Sequence, residues 1–336
     1  MNLFFITGVN GFIGSHTAKR LLQEGHLVRG LVRTTSDLEL IRGLDIELVT
    51  GDIVDPGSLK KHLRGVDVVV HIAGLASDWG PYKKFYNVNM RGTRNVAMAA
   101  ARNRVKRFVH ISSAAVHGFG GFRNANETFP MADAPFPYCE TKKTAEQWLF
   151  DFARTTDMEV TAIRPGNVFG PNDHTFIEKY LDALIARKIA YIDGGRHWTC
   201  PVYIENLVDS IMRACFEAAA AGEAFLITDG LNITWKEFTE QFADQLKVKR
   251  QQVSVPYPLA YGLAFLFEVV YKLFRVSTPP LLTRYRISNG GRDYHFSIEK
   301  ARRLLHYEPS VELDEAVQRT VGWYRERKKK QRGENS

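Results

Sequence analysis

The apolar positions of this 336-residue chain follow two rhythms. Over the first 165 residues, short runs of β-branched and aromatic residues recur at Leu3–Thr7, Leu27–Val32, Ile46–Val49, Val66–Ile72, Arg107–Ser112 and Val160–Arg164. Most are nearly continuous in apolar character, which predicts strands covered on both faces. Between them, stretches near 12–24, 37–42, 57–64, 81–102 and 137–155 place apolar residues at helical spacing. Alternation of this kind predicts an α/β fold, a doubly wound parallel sheet (Rossmann fold) with helices on both faces.

Past Pro165 the rhythm loosens into helical patterns near 173–187, 204–219, 234–246 and 312–328, a strand-like Ala224–Thr228, and polar turns at Asp193–Arg196 and Ser288–Arg292. The reading is a dinucleotide-binding domain over 1–170, rejoined by about 204–230. A smaller substrate-binding region follows over 171–203 and 231–325, then a basic tail over 326–336. Residues 257–275 are apolar except for Glu268, Lys272 and Arg275, whose spacing makes one narrow polar stripe on a helix. The segment is too interrupted to span a bilayer. It reads as a helix packed against the substrate region, or as a pocket wall, lid or membrane-surface helix serving an apolar substrate.

Composition narrows the classes. With 45% hydrophobic and 24% charged residues the chain is an ordinary globular one, neither disordered nor a multi-pass membrane protein. Half of its net charge of +8 falls in the C-terminal run from Arg325 to Glu334, where no aromatic residues interleave the basic ones; nucleic acid is not an expected partner. Cys139, Cys200 and Cys215 have no CxxC spacing and no His pair sits at metal-ligand spacing, so neither disulfides nor a metal are expected. The apolar run 2–7 is too short for a signal peptide. The expectation is a cytoplasmic protein, with membrane association through 257–275 and the tail as a further possibility.

Candidate chemistry begins at Thr7-Gly8-Val9-Asn10-Gly11-Phe12-Ile13-Gly14, a glycine-rich turn between the first strand and the first helix. Gly8 allows the turn, Gly11 lets backbone N–H groups approach a pyrophosphate, and Gly14 lets helix and strand pack closely. The second strand ends in Arg33-Thr34-Thr35-Ser36 where an NAD site carries a carboxylate, so NADP(H) is preferred and NAD(H) stays possible. Asp52 and Ile53 follow the third strand, with Asp52 placed to accept from the adenine amino group, and Ala73-Gly74 closes the fourth strand beside the cofactor. His71 reads as a packed strand residue. Tyr138 and Lys142 stand one helical turn apart, 25 residues after Ser112-Ser113 at a strand end. A free tyrosine titrates near pH ~10. Lys142 and an oxidised nicotinamide together would lower it, Ser113 would bond the substrate oxygen, and Lys142 would also hold the nicotinamide ribose. A second pair at this spacing, Tyr324 and Lys328, has no upstream serine at a strand end.

The glycine run, Asn87-Val88-Asn89-Met90-Arg91-Gly92-Thr93, Ser112-Ser113-Ala114-Ala115-Val116-His117-Gly118, Tyr138/Lys142 and Arg164-Pro165-Gly166-Asn167-Val168-Phe169-Gly170-Pro171 resemble the extended short-chain dehydrogenase/reductase (NAD-dependent epimerase/dehydratase) family over nearly the whole chain. The resemblance implies that Asn89 lies near the active-site end of its helix, that Pro165 and Val168 stand beside the nicotinamide, and that Ser113, Ala114, His117 and Asn167 face substrate. It also implies a homodimer. Sugar-nucleotide dehydratases carry Asp-Glu where this chain has Ala114-Ala115, and the arginine that grips a sugar nucleotide's diphosphate is out of register at Arg196. Glu205-Asn206, residues 257–275 and Pro279-Pro280-Leu281-Leu282-Thr283 are similar to the 3β-hydroxysteroid dehydrogenase-like branch. The expected activity is interconversion of a secondary alcohol and a ketone on a bulky apolar substrate. The alternatives are a sugar-nucleotide 4-epimerase and a non-catalytic nucleotide-binding regulator.

Overall fold

The computed structural model describes residues 1–333. Seven strands, β1 (Leu3–Thr7), β2 (Leu27–Val32), β3 (Glu47–Thr50), β4 (Val68–His71), β5 (Arg107–Ile111), β6 (Glu159–Pro165) and β7 (Ala224–Ile227), form one sheet. Their order is β7-β6-β5-β4-β1-β2-β3, and every neighbouring pair is parallel. The order reverses between β1 and β4, which opens a crevice beyond the carboxyl ends of those strands.

Side-chain alternation divides the interior into two layers. Phe4 and Ile6 of β1 face one layer, where α1 (Phe12–Gln23) contributes Ala18 and Leu21 and a later helix contributes Leu207 and Ile211. Phe5 of β1 faces the other, with Val96 and Ala100 from α2 (Gly92–Arg102) and Leu149 from α3 (Pro137–Ala153). The strands β4 and β5 are buried throughout, as continuous apolar runs require. Return of the chain through α4 (Ile204–Phe216) to β7 extends the sheet past β6.

Several expected elements are shorter than their patterns. The 37–42 stretch is a single tight turn over Glu39–Ile41, and 57–64 forms only Pro56–Leu59, capped where Asp55 accepts from the Gly57 N–H. The 81–102 helix divides into Tyr82–Phe85, a widened turn over Tyr86–Arg91, and α2. The helix expected from 173 starts at Ile177, because the Asp173 carboxylate accepts the N–H groups of Thr175, Phe176 and Ile177. The turn expected at Ser288–Arg292 is the end of a helix over Arg284–Gly290.

The substrate region is assembled from pairings distant in sequence. Phe122–Ala125 lies parallel to Tyr294–Phe296, Asn167–Phe169 parallel to Pro201–Tyr203, and Trp198–Thr199 antiparallel to Ile233–Thr234. The basic segment continues the last helix, Leu313–Gln331. Arg327 bonds Glu178 at 3.0 Å, and Lys328 bonds Glu178 at 3.2 Å and Asp182 at 3.0 Å, so two of its cations are matched within the molecule. The end of the expected tail, 334–336, lies outside the described residues.

Candidate active site

The glycine turn sits at the mouth of the crevice. Gly8 has φ +71°, a conformation that disfavours a side chain, and its carbonyl accepts from the Gly11 N–H at 3.0 Å. A Cβ on Gly14 would stand 2.1 Å from the Gly8 carbonyl oxygen, so only glycine lets α1 seat against the turn. That helix begins at Gly11 with no side-chain cap and no acid in its first turn, leaving N–H groups free for an anion. Phe12 and Ile13 pack into the core, so their contribution to such an anion is through backbone, while the Asn10 amide donates to the Asp37 carbonyl at 2.9 Å and ties the turn to the next loop.

Arg33 is exposed just past β2, with no ion-pair partner among the described residues. The Asp52 carboxylate accepts the Val54 N–H at 3.0 Å. The Ile53 side chain is buried and packs against Gly92. Ala73 N donates to Thr7, and Gly74 leaves room for Lys142: a Cβ there would meet the ammonium at 3.3 Å. Ser112 Oγ is buried with no hydrogen-bond partner among the described residues. An uncapped helix end, a turn that admits only glycine and an unpartnered hydroxyl together fit a dinucleotide.

Tyr138 and Lys142 occupy the first two turns of α3, which Pro137 starts with its fixed φ. Lys142 Nζ donates to the Ile111 carbonyl at the end of β5, at 2.7 Å. Burial pushes its pKa down to about 8, partly offset by Glu146. Ser113 follows β5, and its Oγ accepts the Ala115 N–H at 3.2 Å, which fixes the hydroxyl at the head of a tight turn. The neighbouring Ser113 hydroxyl lowers the Tyr138 phenol, yet burial dominates and pushes it up to about 12. The lowering expected from Lys142 is therefore absent from the protein alone: the ammonium is engaged by Ile111, and desolvation wins. His71 is fully buried between Thr7 at 2.7 Å and Thr93 at 3.0 Å, and burial lowers it to about 3, so it is a neutral packing residue.

Ser113 and Tyr138 open onto a cavity of about 480 Å³. Asn167 and Val168 form part of its wall, and the Asn167 amide exchanges hydrogen bonds with Asn289 at 3.1 and 3.4 Å. Pro165 ends β6, buried. Much of the remaining wall is aromatic or aliphatic, from Phe176, Tyr180, Tyr191, Trp235, Tyr285 and Ile287, with Arg286 paired to Asp78 at 2.6 Å. Sequence reasoning missed these residues. They sit on elements with no motif of their own, and a pairing such as Asn167 with Asn289 spans 122 positions.

Two residues expected beside substrate are elsewhere. Ala114 and His117 are buried and do not line the cavity: His117 Nδ1 lies 3.2 Å from the Pro130 carbonyl and Nε2 3.2 Å from Arg164, which is itself clamped by Glu146. Ala115 takes the wall position. Asn89 lies beside Gly74 and the Lys142 ammonium. Its amide accepts from the Leu75 N–H at 2.7 Å and donates to Thr141 at 3.1 Å, bracing the loop after β4 against α3. Nor does α5 (Tyr257–Leu273) wall the cavity: Phe265 and Phe267 are 52% and 40% exposed. Among the described residues there is no metal-binding cluster and no helix long and apolar enough to cross a membrane.

Residues 4–228 match the family described as NAD dependent epimerase/dehydratase. The chain is 30% identical over 329 residues to the mouse (Mus musculus) sterol-4-alpha-carboxylate 3-dehydrogenase, decarboxylating, covering 94% of this chain and 89% of that one. It is 28% identical over 305 residues to the 4-hydroxy-2-methyl-3-oxo-4-farnesyl-3,4-dihydroquinoline-1-oxide ketoreductase of Stigmatella aurantiaca, covering 90% and 91%. The fold is shared with the UDP-glucose 4-epimerase of Thermotoga maritima, at a TM-score of 0.79 and 20% identity over 97% of this chain and 99% of that one. Since the matched span carries the glycine turn, the serine strand end and the Tyr–Lys helix, the chain belongs to the NAD-dependent epimerase/dehydratase family, the extended short-chain dehydrogenases/reductases, and is an NAD-dependent oxidoreductase.

Proposed function

We propose that the protein interconverts a secondary alcohol and a ketone on a bulky apolar substrate, with NADP(H) preferred. The carrying observation is the cavity itself: Ser113 and Tyr138 meet in one wall, and much of the rest is aromatic and aliphatic surface. The names of the two curated relatives, a sterol-carboxylate dehydrogenase and a farnesylated-quinoline ketoreductase, support the same class.

The uncapped end of α1 would hold the pyrophosphate, Arg33 the 2′-phosphate and Lys142 the nicotinamide ribose. When bound, the nicotinamide supplies or accepts the hydride. In ketone reduction the Ser113 hydroxyl orients the carbonyl oxygen and the phenol of Tyr138 delivers a proton to that oxygen as the alcohol forms. Burial keeps the phenol protonated at neutral pH, the form that this direction needs. In alcohol oxidation the same oxygen returns its proton to Tyr138. The Lys142 ammonium, one turn along α3, would favour the phenolate between those steps only together with the positive charge of an oxidised nicotinamide.

A sugar-nucleotide 4-epimerase would use the same trio, but the one arginine among the described residues lining the cavity, Arg286, is already neutralised by Asp78. Turnover of a panel of steroid and lipid ketones, scored by NADPH and NADH oxidation beside UDP-sugar epimerisation, tests the reading. Ketone-dependent oxidation, faster with NADPH, is expected; epimerisation without net oxidation would replace it.

A further inference from the structure

The helix α5 is built inside out. Its inward stripe is Ala260, Ala264 and Glu268, two small residues and a carboxylate, while its outward arc carries Leu259, Leu263, Leu266, Val270 and Leu273, each between 40% and 75% exposed, and Phe274 follows at 72%. Helices that fold against their own protein place large apolar residues inward. Contiguous apolar surface of this kind on the outside marks an interaction site.

We propose that this face docks onto the surface of a lipid bilayer that carries anionic headgroups, and that it sets the cavity mouth against the source of an apolar substrate. The second clause rests on the function proposed above; the docking does not.

Charge separates a bilayer from a protein partner. From Val253 to Thr283 the only acidic residue is Glu268, and it is turned inward, accepting from the Arg284 N–H at 2.7 Å and from Arg284 Nε at 2.9 Å. Held in this way, Glu268 exerts no repulsion on an anionic surface. Lys272 and Arg275, both exposed, stand at the carboxyl end of the apolar arc, where headgroups would lie. An apolar face edged by cations and free of exposed carboxylates suits an interfacial helix. Seventeen residues with both helix ends tied to the protein lie along a membrane, not across it.

The position adds direction. Beyond Leu273 the chain passes the exposed Val276, whose carbonyl accepts from Trp79 Nε1 at 3.1 Å, and the exposed Leu281, then enters the Arg284–Gly290 helix. Arg286, Ile287 and Gly290 of that helix line the cavity, as do Ser77 and Asp78 beside Trp79. The apolar face and the cavity thus share one rim. In the basic C-terminal helix, Arg327 and Lys328 are matched by Glu178 and Asp182.

The test is flotation of the full-length protein with vesicles of phosphatidylcholine, alone or mixed with phosphatidylglycerol. Wild type should float with the mixed vesicles, less with the neutral ones and less in high salt. L266E combined with L273E, at two exposed positions off the cavity, should reduce flotation at least ~10-fold while leaving the melting temperature and turnover of a short water-soluble ketone unchanged. Wild type that stays unbound to both vesicles overturns the proposal, and so does a variant that floats equally well. A wild-type dimer in solution that L266E/L273E converts to monomer, without vesicle binding, overturns it in favour of a second copy of this chain. Flotation is read without turnover, so a failed ketone panel would leave this result standing.

Discussion

Tyr138 and Tyr324 share a Y-x-x-x-K spacing but no chemistry. Tyr138→Phe removes only the transferable proton, so turnover should fall at least ~10²-fold while NADPH affinity stays within a few-fold; retained turnover would remove Tyr138 from the reaction. Tyr324 donates instead to the Asp182 carboxylate at 2.6 Å and does not line the cavity, so Tyr324→Phe should leave turnover intact and cost ~1.5–3 kcal/mol of stability in denaturant titrations. Lys142 gives a pH signature. Its native pKa near 8 lies below the unfolded value, so between these two the unfolded chain holds a proton that the native chain has lost, and stability rises with pH across that window. Denaturant midpoints measured from about pH 7 to about pH 10 should show this rise in wild type and not in Lys142→Met. For the cofactor, Arg33→Asp should cost ~1.5–3 kcal/mol in NADPH binding and spare NADH; equal losses would mean that Arg33 contacts the adenosine without reading the phosphate.

At the scale of elements, the readable parts of the sequence were those with local causes. Strands buried on both faces announce themselves as continuous apolar runs, and the glycine turn is legible because its spacing is that of a tight strand-to-helix turn, in which the positive φ at Gly8 and the 2.1 Å approach at Gly14 leave no room for a side chain. The Ser113 strand end and the Tyr138–Lys142 helix were legible too, although the phenol's environment was not: whether Lys142 or burial governs it depends on the Ile111 carbonyl, 31 residues away. His117 faces Arg164 and the Pro130 carbonyl and not the cavity, a difference hidden from sequence because a polar residue in a motif looks the same whether it faces a ligand or braces a loop. Residues 257–275 show the same ambiguity at larger scale, since a polar stripe on an apolar helix does not reveal which side is turned in. Glu268 settles it. Removing that carboxylate breaks a half-buried pair with Arg284, so Glu268→Ala should unseat α5 and lower stability by ~2–4 kcal/mol, seen as a lower melting temperature; an unchanged melting temperature would mean that α5 is held by other contacts.

For the molecule as a whole, the sheet supplies a rigid platform whose strand ends carry Ser113 and the glycine turn, and the distant pairings of the second half close a largely apolar chamber over them. What enters that chamber is the central claim, and it has a quantitative consequence. If the aromatic wall binds the body of the substrate, kcat/KM for a homologous series of alkyl ketones should climb with chain length, each newly buried methylene contributing up to ~0.8 kcal/mol, close to fourfold. The slope should flatten in Trp235→Ala, whose side chain is part of the wall. Measured with NADPH, a climb in wild type that Trp235→Ala blunts is the predicted result; kcat/KM independent of chain length, with Trp235→Ala affecting every ketone alike, would contradict the account.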